Sequence, residues 1–111
     1  MKYVDFIAGG ETYKLRLTTR NTVALEKQLG CNPLMIFGNG NRIPTVGEMV
    51  QILHYSLQQL QHGMTLEKSY DIFDSYLEDG HIPTDFIATI IEIYKASGIM
   101  KADVEEESGK N

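Results

Sequence analysis

The sequence predicts an α+β fold, an N-terminal β-hairpin packed on a bundle of about four helices. Two patterns carry this. Apolar residues alternate with period two through residues 3–18, and the period changes to 3.6 after Thr18. From there on, helix caps and glycine stops recur and divide the chain into helical segments.

The first strand is expected over 3–8, with Val4, Phe6 and Ala8 on one side. The second is expected over 12–18, with Tyr13, Leu15 and Leu17 opposite Lys14, Arg16 and Thr18. Gly9-Gly10-Glu11 between them is a turn in which two residues are free to take positive φ. A lone hairpin is marginal, so its apolar face must be covered by helices or by another chain.

Thr19 or Asn21 can cap a helix over about 21–29, stopped at Gly30. Pro33 opens a short apolar turn, Leu34-Met35-Ile36-Phe37, followed by the pliant stretch Gly38-Asn39-Gly40-Asn41. Thr45 and Glu48 form a capping box for a helix over 46–61, whose stripe is Val46, Met49, Val50, Leu53, Leu57 and Leu60. Thr65 caps a third helix, about 66–79, with Leu66, Tyr70, Phe73 and Leu77 inward and Glu67, Asp71, Asp74 and Glu78 in water. Pro83 opens a fourth, about 84–97, with Phe86, Ile87, Ile90, Ile91 and Tyr94 on a wide apolar face before Gly98. The core should include Phe6, Leu15, Leu17, Leu25, Leu29, Val50, Leu53, Leu57, Phe73, Leu77, Ile87, Ile90 and Ile91.

At 111 residues and 42% hydrophobic content, one domain over 1–98 can build a core without disulfides. Residues 99–111 form an acidic tail with little apolar content and are expected to be disordered. The single cysteine, Cys31, can make neither an internal disulfide nor a thiolate metal cage, and it fits a reducing compartment. No apolar run approaches the roughly 18 residues of a membrane helix, and the N-terminus lacks a signal-peptide pattern. A cytoplasmic protein with no membrane partner is expected. The formal charge of -5 argues against nucleic acid. Residues 1–42 carry six basic and three acidic groups, and 43–111 carry four basic and twelve acidic ones. That asymmetry can steer a basic partner or a second copy to one end; it is equally consistent with an ordinary solvated surface.

Candidate chemistry is sparse. Gly38-Asn39-Gly40-Asn41-Arg42 lacks the Gly-Lys-Ser/Thr ending of a phosphate loop and reads as a surface loop. Asp74 through Gly80 places Tyr76 and Asp79 where a calcium loop needs a ligand and a glycine, so it reads as a helix end. His54 and His62 are eight residues apart, too far to share an ion readily, and the histidines read as surface residues. Cys31 follows a helix C-terminus, where the dipole disfavours a thiolate. No catalytic, cofactor or metal site is expected, and the chain should not be an enzyme.

The order of these elements resembles the tail assembly chaperones of long-tailed bacteriophages, especially those infecting low-GC Gram-positive bacteria. The resemblance lies in Gly9-Gly10-Glu11-Thr12-Tyr13-Lys14-Leu15-Arg16-Leu17-Thr18 and in Ala24-Leu25-Glu26-Lys27-Gln28-Leu29-Gly30 with the Pro33-Leu34 turn. It continues through Tyr70-Asp71, Tyr76-Leu77-Glu78-Asp79-Gly80 and Ile91-Glu92-Ile93-Tyr94-Lys95-Ala96-Ser97-Gly98, covering roughly residues 3–98. It implies binding of the tape measure protein in the host cytoplasm, which keeps that protein soluble until tail tube subunits assemble around it, and absence from the finished virion. The resemblance also implies that a longer form can arise by frameshifting, as in many such chaperones; Gly109-Lys110-Asn111 admits a slippery codon run and equally reads as an ordinary polar terminus. A structural tail or connector protein, or a small regulator binding a ligand between helices, remains an alternative.

Contacts with the partner are expected at the hairpin and nearby helix faces, with Tyr3, Ile7 and Tyr13 as candidate partner-binding residues. Tyr13 could instead pack internally. The same strand edge could support weak self-association.

Overall fold

The computed structural model describes residues 2–102. Two antiparallel strands, β1 (Val4–Ala8) and β2 (Glu11–Leu15), precede four helices: α1 (Thr19–Leu29), α2 (Val46–Leu57), α3 (Leu66–Glu78) and α4 (Phe86–Ser97). Short 3-10 turns at Pro33–Phe37 and Pro83–Asp85 lie in the α1–α2 and α3–α4 connections. The fold is α+β, a hairpin laid on a helical bundle. Among the described residues no helix is long and apolar enough to cross a membrane.

Gly9 and Gly10 both have positive φ, 59° and 80°, as a two-residue hairpin turn requires. The turn sets the register: Val4 faces Leu15, Asp5 faces Lys14, Phe6 faces Tyr13 and Ile7 faces Thr12. Gly9 also donates its N–H to the Asp79 carboxylate at 2.8 Å, which ties the hairpin tip to the end of α3.

β2 stops at Leu15, three residues earlier than the alternation suggests. The Arg16 N–H leaves the ladder for the Ser56 carbonyl at 2.9 Å, and the Leu17 N–H donates to Ser97 Oγ at 2.9 Å. Leu17 is still buried, now against the helices. Thr18 is therefore the cap of α1, accepting the Asn21 N–H at 3.0 Å, and the helix starts at Thr19. The Thr45–Glu48 capping box is present in both directions. α2 itself ends at Leu57, four residues short of expectation, where the Gln58 side chain folds back onto the His54 and Met64 carbonyls. Thr65 caps α3, and Pro83 opens a 3-10 turn before α4.

Nine of the thirteen expected core residues are buried: Phe6, Leu15, Leu17, Leu25, Val50, Leu53, Leu57, Phe73 and Ile90. Leu29, Leu77, Ile87 and Ile91 are half-buried at its rim. The largest difference is the phase of α3. It buries Ser69, Ile72, Phe73 and Tyr76, while Leu66 and Tyr70 face solvent. The cause is an aromatic cluster in which Tyr76 meets Phe6 at 4.9 Å and Phe73 meets Phe86 at 5.4 Å. Ser69 can be buried because its hydroxyl donates to the Thr65 carbonyl at 3.0 Å. Val46, placed in the α2 stripe by its spacing, is exposed on the first turn. In α4 the buried face is Phe86, Ile90, Ile93 and Tyr94.

Beyond Gly98 the chain turns back, and the Ile99 and Met100 N–H groups both donate to the Tyr94 carbonyl. Both side chains pack against the core. The expected tail from residue 103 onward lies outside the described residues.

Candidate binding surface

The hairpin has two faces with different fates. Phe6, Ala8 and Leu15 point to the helices and are buried. Tyr13, opposite Phe6, shares that face and packs against the core. Burial, and secondarily the Glu11 charge, pushes its phenol pKa up. The other face carries Tyr3, Asp5, Ile7, Thr12 and Lys14. Ile7 is 62% exposed and Tyr3 44%. The structure thus brings Tyr3 and Ile7 to one surface and places Tyr13 on the opposite one, as the even spacing from Phe6 through the register requires.

Tyr3 is held in place. The Lys14 ammonium lies 4.2 Å from its ring centroid and 3.2 Å from Asp5 Oδ1, a cation–π contact and an exposed ion pair across the strands. Tyr3, followed by Asp5, raises the Lys14 pKa. This clamp was readable in principle: a two-residue turn at 9 and 10 puts residue 14 opposite residue 5. Below Tyr3 lies a shallow pocket of about 420 Å³, lined by Lys2, Tyr3, Val4, Glu92 and Ala96 among others. Arg16 donates to the Lys2 and Ala96 carbonyls at 2.8 and 2.7 Å. Among the described residues the sheet has two strands, so each is an edge.

The other candidates take structural positions. Arg42 donates to the Ile36 carbonyl and, bidentately, to Glu48, so the glycine-rich loop is fastened to the start of α2. Asp79 ends α3 and holds Gly9. His62 and His81 are exposed. His54 is not a surface residue: it is half-buried between α2 and α3, with Nδ1 3.1 Å from Ser69 Oγ. Cys31 is half-buried and free. Among the described residues no group of three or more His, Cys, Asp or Glu is arranged to hold a metal ion.

The family model described as "Family of unknown function (DUF6096)" matches residues 4–110. No curated protein and no solved structure is matched by the chain.

Proposed function

We propose that this chain, which belongs to the DUF6096 family, is a non-catalytic assembly chaperone of the phage-tail type, which binds the tape measure protein and keeps it soluble in the host cytoplasm. The observation that carries the reading is the outer face of the hairpin, where Ile7 and Tyr3 stand exposed over a sheet with two open edges. Apolar side chains beside unpaired strand edges favour a segment that covers both. The resemblance in element order to the tail chaperones names the partner class. The tail tube protein is a secondary partner in this reading, and the finished virion does not retain the chain.

Co-expression with a tape measure protein tests it. The native chain should raise the soluble fraction of that partner and be recovered with it. Ile7→Asp with Tyr3→Asp, still folded by circular dichroism, should lose most of the effect. An equally soluble partner with the double variant would overturn the assigned surface, and no gain with the native chain would overturn the chaperone reading. Recovery of the chain in purified particles would favour a structural tail or connector protein. A metabolite-induced thermal shift without any effect on the partner would favour a regulator using the 420 Å³ pocket.

A further inference from the structure

The outward side of α3 is built differently from the rest of the surface. Residues advance by about 100° around a helix. With Ser69, Ile72, Phe73 and Tyr76 turned to the core, Glu67, Asp71, Asp74 and Glu78 fall in one row on the far side, at spacings of four, three and four. All four are exposed. Between row and core runs an apolar flank of Leu66, 37% exposed, Tyr70, 45% exposed, and the half-buried Leu77. Tyr70 forms one wall of a groove of about 270 Å³. The end of α1 supplies Gln28 and Leu29 to it, and Thr45 and the start of α2 with Gly47, Glu48 and Gln51 complete a mostly polar lining.

The fold itself gives no reason for the acidic row. Among the described residues none of the four carboxylates is in an ion pair. Glu67 with Asp71, Asp71 with Asp74 and Asp74 with Glu78 are like-charge pairs one turn apart, each of which destabilises a helix. Asp74 and Glu78 also lie toward the negative end of the helix dipole, and no basic residue occupies the last turn. Lys68, the only cation on the helix, is directed to the Gly63 carbonyl. Cations placed along the row from outside would relieve every one of these repulsions.

We propose that this face is a docking surface for a basic amphipathic helix of a partner protein. Its apolar stripe would lie along Leu66, Tyr70 and Leu77, and its Lys or Arg flank along the four carboxylates. A second copy of this chain fits less well, because the exposed face of α1 offers only Arg20 and Lys27 beside Val23. The surface is separate from the hairpin face and does not depend on the chaperone reading.

Titration of the isotopically labelled full chain with a synthetic Leu/Lys amphipathic helical peptide, followed by NMR, tests it. Saturable shifts should concentrate at Leu66, Tyr70, Leu77 and the acidic row, and weaken with added salt. A scrambled peptide of the same composition should bind roughly tenfold more weakly, as should the native peptide to Asp71→Lys/Asp74→Lys or to Tyr70→Ala. Equal binding of the scrambled peptide, shifts spread over all acidic surfaces, or no shifts would overturn the proposal. So would concentration-dependent shifts at α3 without peptide, which would assign the face to self-association. Should the lysine variant unfold, Tyr70→Ala and the scrambled peptide still decide.

Discussion

At Tyr94 a single atom links distant parts of the chain. Its ring is fully buried, and its hydroxyl donates to the Pro33 carbonyl at 3.0 Å, joining α4 to the turn after α1. Burial drives the phenol pKa far upward, so the group remains a donor at any ordinary pH. Tyr94→Phe should keep the packing but leave the carbonyl without this partner, at a cost of about 1–3 kcal/mol in urea unfolding. Leu53→Ala, at a site with no exposure, should cost about 2–5 kcal/mol. A loss below about half a kcal/mol at Leu53 would contradict its central place. Leu53 was legible from its spacing; the Tyr94 bond was not, because its partner is 61 residues away.

Among the elements, helix starts were the most legible feature, since a cap and the amides it satisfies lie within three residues of one another. Thr45→Ala removes the capping box at α2 and should lower stability by about 1 kcal/mol. The phase of α3 was not legible in the same way. Leu66-Tyr70-Phe73-Leu77 and Ser69-Ile72-Phe73-Tyr76 both give helical rows, and the first is more apolar. Contacts with Phe6 and Phe86 select the second. That choice also draws His54 into the α2–α3 joint, where burial lowers its pKa against a smaller opposing effect of the Thr65 backbone. The folded state then takes up this proton less readily than the unfolded chain. The stabilising contribution is complete above the ordinary value of 6.5 and is lost as pH falls from there through the lower folded value. Urea midpoints at about pH 7 and pH 5 should show that loss, and His54→Gln should make it smaller.

For the molecule as a whole, the hairpin is secured at both ends. Gly9 is tied to Asp79 at the tip. Arg16 is tied to Lys2 and Ala96 where the strands meet α4. Arg16→Gln should therefore destabilise the chain by about 1–3 kcal/mol and increase hydrogen exchange in β1 and the last turn of α4 together. Increased exchange confined to the hairpin would show that the two elements are not coupled through this side chain. The hairpin surface proposed for binding follows from this anchoring, because a hairpin held on its inner face keeps Tyr3 and Ile7 outward.

Local chemistry alone determined the α+β class, the Gly9-Gly10 turn, the capped helix starts and the outward position of Ile7, because each depends on neighbours within a turn or a strand pair. Only the tertiary structure decided which of two rows α3 buries, where β2 leaves its ladder, and that His54 is half-buried in the α2–α3 joint. Those outcomes depend on long-range packing, above all the aromatic cluster of Phe6, Phe73, Tyr76 and Phe86, and on backbone amides whose acceptors, Ser56 and Ser97, come from remote helices. Periodicity identifies an amphipathic helix, but where two rows compete, burial goes to the one whose shapes fit the opposing surface.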